Sequence, residues 1–375
     1  MKRSVLVRGV GSHNGGAELL LRSAVEHFEG SGISIYADAR RVSRTLRRDW
    51  SVGGFVSVPR LGKLESLGLT VLPSAVTNIA GYKATRHLDG VLDASGFFVG
   101  DQWSAASIAR DAETFRKVAA RGKPTIMLPQ AFGPFKKADV AAAARGLFSS
   151  VDLIFARDQE SYDHVAALLG DTKKLGLSPD ITIALNVKAK PSQRTGKRVA
   201  IVPNVNISAR SSESGVKNLY AKSLRDMYER LLREGYEPFF LIHSTHGDPS
   251  VVDDVVALGG PVDVETPANG LAAKAVIAQC DGVIAGRYHA IVSALSQGVP
   301  AVAHSWSHKY GALLSDFGVT EGLADPLAPD ASVDLALRLM GSDAYKQTLH
   351  DAKPALVSKV GDMWARVDSL LSSKG

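Results

Sequence analysis

An intramolecular disulfide is ruled out by arithmetic, because the 375 residues include one cysteine, Cys280. A cysteine-based zinc site goes with it. Cys280 lies in KAVIAQCDGV, an apolar setting that reads as a buried structural thiol rather than a nucleophile. Long hydrophobic runs are missing too: no stretch reaches the roughly 18 to 20 apolar residues that crossing a bilayer requires. The basic start MKRSVLVRG is broken by Arg8 before a signal-peptide core can form. The expected location is cytoplasmic. Charge of one sign is not in excess, since 44 Lys and Arg are interleaved with 38 Asp and Glu, and the net charge of +6 favours an anionic partner only weakly. No nucleic-acid partner is expected. One basic cluster stands out, Arg40, Arg41, Arg44, Arg47 and Arg48 before Trp50. It reads first as a solvated helix face, and alternatively as a peripheral contact with anionic lipid at the inner face of a membrane, or with an acidic polymer.

What is present is a folded chain of domain-forming composition, 45% hydrophobic and 22% charged, long enough for two cores. Short apolar runs alternate with helical patterns: SVLVRGV then AELLLRSAVEHF, GVLDASG then SAASIARDAETFRKVAARG, PTIMLPQ then VAAAARGLFSS, VDLIFAR then SYDHVAALLG. Such alternation predicts βαβ units, hence a parallel sheet covered by helices. NVKAKPSQRTGKR, residues 186 to 198, has no apolar periodicity and reads as a linker. A second alternation follows, from RVAIVPN to PAVAHSW. The expected fold class is α/β, with two Rossmann-like domains, 1–187 and 188–375, facing a cleft. The terminal helices either stay with the second domain or reach back over the first.

Glycine-rich loops follow several strands without meeting the familiar nucleotide tests. In RGVGSHNGGAELL, Asn14 stands where a dinucleotide fingerprint needs its third glycine, and Ala17 where a phosphate-binding P-loop needs lysine. A strand, a tight turn and a helix N-terminus remain, a combination that serves equally as plain turn or as ligand loop. GVLDASGFFVGDQW ends a strand at Asp93 and carries Asp101 beyond it. Both are candidate acceptor-binding groups or bases, with capping as the simpler role for each. In IFARDQES, Asp158 or Ser161 is placed to cap the next helix, and Arg157 reads as structural.

GRYHA, residues 286–290, interrupts two apolar stretches with Arg287 and His289. Read as strand GVIAG, turn and helix HAIVSALSQ, the segment puts both at a strand's carboxyl end and a helix N-terminus, where the dipole already favours an anion. Arginine supplies a planar fork for carboxylate or phosphate, and histidine a proton near neutral pH. Lys309 would add a second cation. A satisfied turn histidine and a surface ion pair account for the same spacing equally well.

Taken together, HNGGAE, QAFGPF, ARDQES, SPDITIAL and above all GRYHAIVSALSQGVPAVAHSWSHKYGALLSDFG resemble the polysaccharide pyruvyl transferase family, in the expected order along nearly the whole chain. The resemblance implies a fold like the glycosyltransferase B fold, with the donor in the second domain and the acceptor on the side of the first. It implies ketal transfer of pyruvate from phosphoenolpyruvate to two hydroxyls of a sugar in a cell-surface polysaccharide or its lipid-linked precursor. No cofactor, metal or nucleotide is implied; phosphoenolpyruvate is a substrate. On this reading His289 is the general acid, and Arg287, Lys309, Arg210, His243 and Asn204 bind the donor. Asn14, Glu18 and Asp101 contact the acceptor, and Asp93 is a candidate base. Asp248 joins His243 as a residue of the same strand end. The run IVPNVNISAR departs from the family, which often carries an arginine soon after this strand; here Arg210 comes several residues later. The alternative is a glycosyltransferase or sugar epimerase of the same architecture using a nucleotide sugar.

Overall fold

The computed structural model describes residues 2–56, 82–187, 197–212, 218–305 and 309–374. Its residues gather into two compact units, one made of Met1–Ser12, Leu20–Ile181 and Lys359–Gly375, the other of His13–Leu19 and Thr182–Ser358. The expected division at 187/188 shifts to 181/182 because Ile183 is already buried in the second unit's core and the Lys274 ammonium donates to the Thr182 carbonyl at 2.7 Å. Of the expected linker, 188–196 lies outside the described residues, and Arg198 opens a strand.

The first unit holds one all-parallel sheet. Its strands are β1 (Arg3–Arg8), β2 (Ile33–Asp38), β3 (Gly53–Phe55), β4 (Tyr82–Lys83), β5 (Gly90–Asp93), β6 (Phe97–Val99), β7 (Thr125–Phe132), β8 (Leu153–Ala156) and β9 (Leu175–Leu177). Their order is β4-β3-β2-β1-β5-β7-β8-β9, with β6 beside the end of β7. β7 is buried along its whole length, as a central parallel strand covered on both faces must be, so TIMLPQAF reads as an almost unbroken apolar run. The helices Ala105–Ala119 and Ala138–Phe148 bring Ile108, Phe115, Leu147 and Phe148 onto this sheet. Each such side chain is worth about 1.5–3 kcal/mol when fully buried.

The second unit's strands are β10 (Arg198–Val202), β11 (Glu237–Leu241), β12 (Val264–Glu265), β13 (Gly282–Ala285), β14 (Ala301–His304) and β15 (Leu323–Ala324). They pair in parallel in the order β12-β11-β10-β13-β14-β15. The chain therefore winds outward from β10 in one direction, then from β13 in the other. Where the direction reverses, the connections leaving β10 and β13 diverge and open a crevice at the carboxyl ends of the strands, the usual ligand position of such sheets. β10 ends at Val202 and β13 at Ala285, so Asn204 and Gly286–His289 stand at that reversal.

The last helix, Asp343–Ser373, contributes Leu349 and Leu356 to the second unit's core. From Lys359 on it belongs to the first unit, where Trp364 stacks on His27 at 4.1 Å between ring centroids. Among the described residues no helix is long and apolar enough to cross a membrane.

Candidate active site

Gly286 follows the last residue of β13, and nothing larger fits there: a β-carbon would stand 2.7 Å from Ile207 and 2.9 Å from Asn204. Its carbonyl accepts from the Asn204 amide at 2.6 Å and from the Tyr310 hydroxyl at 2.7 Å. Asn204 is thus a buried brace of the turn, with its own carbonyl oxygen accepting from the Asn206 N–H at 3.0 Å. Arg287 occupies the N-cap position of helix Tyr288–Leu295 and gives it no side-chain cap.

The Arg287 guanidinium turns to Asp248, donating from Nε to Oδ2 at 2.9 Å and from Nη2 to Oδ1. Asp248, the first residue of helix Asp248–Gly259, is fully buried and also accepts from the Val205 N–H at 3.2 Å. Burial raises its pKa and Arg287 offsets only part of the rise. An arginine fork that the sequence reading left for a ligand therefore has one edge engaged by a carboxylate.

His243 lies just beyond β11, is 4% exposed, and has no hydrogen-bond partner on either ring nitrogen. Burial, reinforced by the charges of His289 and Arg287, pushes its pKa down to about 3, so the ring is neutral at physiological pH. A buried imidazole with both nitrogens unpaired within the protein is free to hydrogen-bond a small molecule, an ion or water.

The N-terminal glycine loop closes around these two histidines. The Gly15 N–H donates to the His243 carbonyl at 2.8 Å, and Ser244 Oγ donates to the His13 carbonyl at 2.9 Å. A β-carbon on Gly16 would stand 2.2 Å from His289 Nδ1, and one on Gly15 would stand 3.1 Å from His243 Nδ1. Both glycines are required by close approach to a ring. Asn14 caps its own helix, Gly15–His27, accepting from the Gly16 N–H at 2.9 Å. Glu18 is 5% exposed and accepts from the Gly270 N–H at 2.5 Å, at the start of helix Gly270–Ile277. Its pKa is raised to about 7, by burial first, with the Gly270 bond opposing. Asn14 and Glu18 were expected on the acceptor side with the first domain. They belong instead to the second unit, held there by backbone pairing with β11's continuation.

Of the other expected donor groups, Lys309 opens helix Lys309–Asp316 with its ammonium 5.6 Å from the Tyr288 ring centroid and 5.5 Å from that of Tyr310. Arg210 is exposed near the end of helix Val205–Ser212, further along than the strand end itself.

Asp93 and Asp101, expected as a base and an acceptor contact, lie in the first unit, and each is already engaged by protein groups. Asp93 is fully buried; Oδ1 accepts from the Gln130 amide and the Ser95 N–H, both at 3.0 Å, and Oδ2 faces Arg8 Nε at 3.5 Å. It anchors Arg8 rather than standing open to a hydroxyl. Asp101 accepts from the N–H groups of Lys136 at 2.8 Å and Lys137 at 3.2 Å, a capping arrangement before helix Ala138–Phe148. Asp158 caps the helix Gln159–Leu169 through the Ser161 N–H at 2.7 Å, and Arg157 pairs with Asp180 in the interior at 3.1 Å. Burial lifts the Cys280 thiol to about 12, consistent with an inert structural role. In the basic cluster Arg40 pairs with Asp38, Arg48 with Asp49, Arg47 donates to the Val42 carbonyl, and Trp50 is buried.

Sequence reasoning missed two supports of the site, Gly16 and Gly270. The Asn-Gly pair at 269–270 was a legible helix-start signal, since Asn269 caps by accepting from the Ala272 N–H. Nothing local pointed from Gly270 to Glu18.

The two reversing parallel sheets define a glycosyltransferase B type of fold, and solved structures share it. A UDP-N-acetylglucosamine 2-epimerase from Neisseria meningitidis, bound to UDP-GlcNAc, superposes with a TM-score of 0.61 at 10% identity over 98% of this chain and all of its own. A putative UDP-N-acetylglucosamine 2-epimerase from Listeria monocytogenes gives 0.63 at 11% identity over 100% and 98%. The glycosyltransferase SnogD from Streptomyces nogalater gives 0.57 at 15% over 99% and 100%. At these identities the likeness is one of fold. The family is set by sequence: the model for polysaccharide pyruvyl transferases matches residues 14–308, and the chain belongs to that family.

Proposed function

We propose that this pyruvyl transferase takes its pyruvyl group from phosphoenolpyruvate and places it as a ketal on two hydroxyls of one sugar, in a polysaccharide or its lipid-linked precursor, releasing phosphate. The observation that carries the reading is the unsatisfied, neutral His243 beside His289 and Arg287 at the sheet's reversal point. A ligand there meets cationic and neutral hydrogen-bond donors together with a helix N-terminus, which suits a phosphate and a carboxylate on one small molecule.

In the reaction His289 gives a proton to the methylene carbon of phosphoenolpyruvate, making the methyl group and leaving positive charge at C2. One acceptor hydroxyl adds to C2 and loses its proton, which restores the acid. The second hydroxyl then displaces phosphate, and its proton leaves with the phosphate as hydrogen phosphate. Asp248 holds the Nε and Nη2 edge of Arg287, so the Nη1 donors are the ones directed to the substrate anion. His243 donates one further hydrogen bond, and Lys309 supplies positive charge from beyond Tyr288. Of the carboxylates named from the sequence, Glu18, with a pKa of about 7, is suited to take the second hydroxyl's proton and pass it to the departing phosphate.

The test is thermal unfolding with phosphoenolpyruvate and, separately, with UDP-sugars, followed by phosphate release in the presence of an acceptor glycan. Phosphoenolpyruvate at 100 times its dissociation constant adds about 2.7 kcal/mol to the folded state. Stabilisation by UDP-sugars alone would move the chain to the nucleotide-sugar reading.

A further inference from the structure

Trp103 is 41% exposed, the one aromatic among the large hydrophobic side chains that the described residues leave in solvent. A single exposed apolar residue needs no explanation by itself. This one is displayed by a loop built to hold it. The Trp103 N–H donates to the Gly100 carbonyl at 3.0 Å, and the Asp101 N–H to the Pro134 carbonyl at 3.0 Å. Asp101's carboxylate in turn accepts from Lys136 and Lys137, and the Lys137 ammonium returns to the Asp101 carbonyl at 3.0 Å. Gly100 is pressed against the Gly133 carbonyl oxygen so closely that a β-carbon would stand 2.4 Å away.

The indole is also backed by an ordered ring. Phe98 lies 6.0 Å from Trp103, tilted by 47°. The Arg8 guanidinium sits 5.9 Å from the Phe98 centroid and is itself fixed by Asp93 and by Asp111, at 2.9 Å. Two aromatic rings, one in β6 and one just after it, thus form a corner at the carboxyl edge of the first sheet. Gln102 and Ser104, which flank Trp103 in the chain, and Lys136, whose N–H is held by Asp101, are polar and exposed.

We infer that this corner is a saccharide-binding subsite, with a sugar ring stacked on the Trp103 indole and its hydroxyls turned to the polar rim. The inference rests on the pyruvyl transfer reading only for what the sugar is: a residue of the polysaccharide acceptor. An aromatic face with polar groups beside it matches the two-sided chemistry of a pyranose, apolar C–H bonds on one face and hydroxyls at the edge. A membrane or a protein partner would call for a broader apolar area than two rings.

The experiment uses the full chain, as wild type, Trp103→Ala and Trp103→Phe. It is titrated with the methyl glycosides of glucose, galactose, mannose and N-acetylglucosamine in both anomeric forms. Tryptophan emission and saturation-transfer NMR report binding, and melting curves confirm that each variant folds. At least one glycoside should shift the wild-type emission saturably. Trp103→Phe should bind the same glycoside without the emission change, and Trp103→Ala should bind about tenfold more weakly. Absence of any emission change across the panel, or equal affinity in Trp103→Ala, overturns the subsite. Phosphoenolpyruvate stabilisation, measured on the same proteins, separates the two readings. If it is absent while glycoside binding still depends on Trp103, the donor assignment fails and the subsite stands; if it is present in wild type and Trp103→Ala alike with no glycoside response, the reverse holds.

Discussion

Gly16 lies against His289 so closely that a β-carbon would come within 2.2 Å of the ring's Nδ1. The position is early in a helix, where alanine is otherwise favourable, so Gly16→Ala should force the imidazole aside at an overpacking cost of about 1–3 kcal/mol that still leaves the chain folded. Turnover should fall by about a hundredfold, the scale of a 1 Å misplacement of a reacting group. Steady-state assays beside melting curves check this, and unchanged turnover would remove His289 from the chemistry.

His243→Phe makes the complementary test. Neither ring nitrogen bonds to the protein, so the substitution breaks no internal hydrogen bond and keeps an aromatic ring in a buried place. The variant should fold, and bind phosphoenolpyruvate about tenfold or more weakly by calorimetry. Equal affinity would mean that the unsatisfied ring serves something other than the donor.

Arg287 and Asp248 should prove unequal in isolation and tolerable in combination. Asp248→Ala leaves an arginine whose side chain is 13% exposed without its carboxylate, and should cost about 3 kcal/mol in urea unfolding. Arg287→Met with Asp248→Leu removes both charges and should recover much of that loss. The double variant should nevertheless fail to bind phosphoenolpyruvate. Binding by the double variant would exclude Arg287 from the donor site.

Acid should destabilise the protein through its buried histidines. His243 and His304 have folded pKa values pushed by burial to about 3 and about 4, against an ordinary 6.5. Below 6.5 the unfolded chain takes up these protons and the folded one does not, so stability present above 6.5 is lost as pH falls, by about 1.4 kcal/mol per pH unit for each proton. Glu18 acts in the opposite sense: its folded pKa of about 7 exceeds the ordinary 4.5, so its contribution is full below 4.5 and lost as pH rises to about 7. His304→Gln, which can keep the bond to Ser332, should flatten the slope of stability against pH between about 4.5 and 6.5, and Glu18→Gln should steepen it. Denaturant titrations at stepped pH measure both, and parallel curves would contradict the assigned burial effects.

Much of this architecture is legible locally. The run GVIAG followed by HAIVSALSQ announces a strand, a turn and a helix through its apolar period and its glycine, and Arg287 and His289 do stand at the end of β13. ISIYAD, which pairs as β2, is hard to read locally, because a half-buried strand between two polar stretches gives a weak alternation. What the sequence hides is partnership at a distance. Nothing in HNGGAE points to His243, yet their backbones pair. Likewise Asp248 looks like an ordinary helix start, and Asp93 like an available base, until burial and the arginine opposite each are known. Burial reverses the meaning of a carboxylate, and burial is a property of the whole fold.

The seven residues His13–Leu19 and the stretch from Lys359 onward each belong to the unit that most of their neighbours in sequence do not. The first sheet is therefore completed by a helix that lies beyond the whole of the second unit's sequence. The second unit receives the glycine turn that frames its histidines from a stretch set within the first unit's sequence. Neither half can be finished in isolation, and dividing the gene between the two sheets would yield one fragment short of a helix and another short of the glycine turn that packs on His243 and His289.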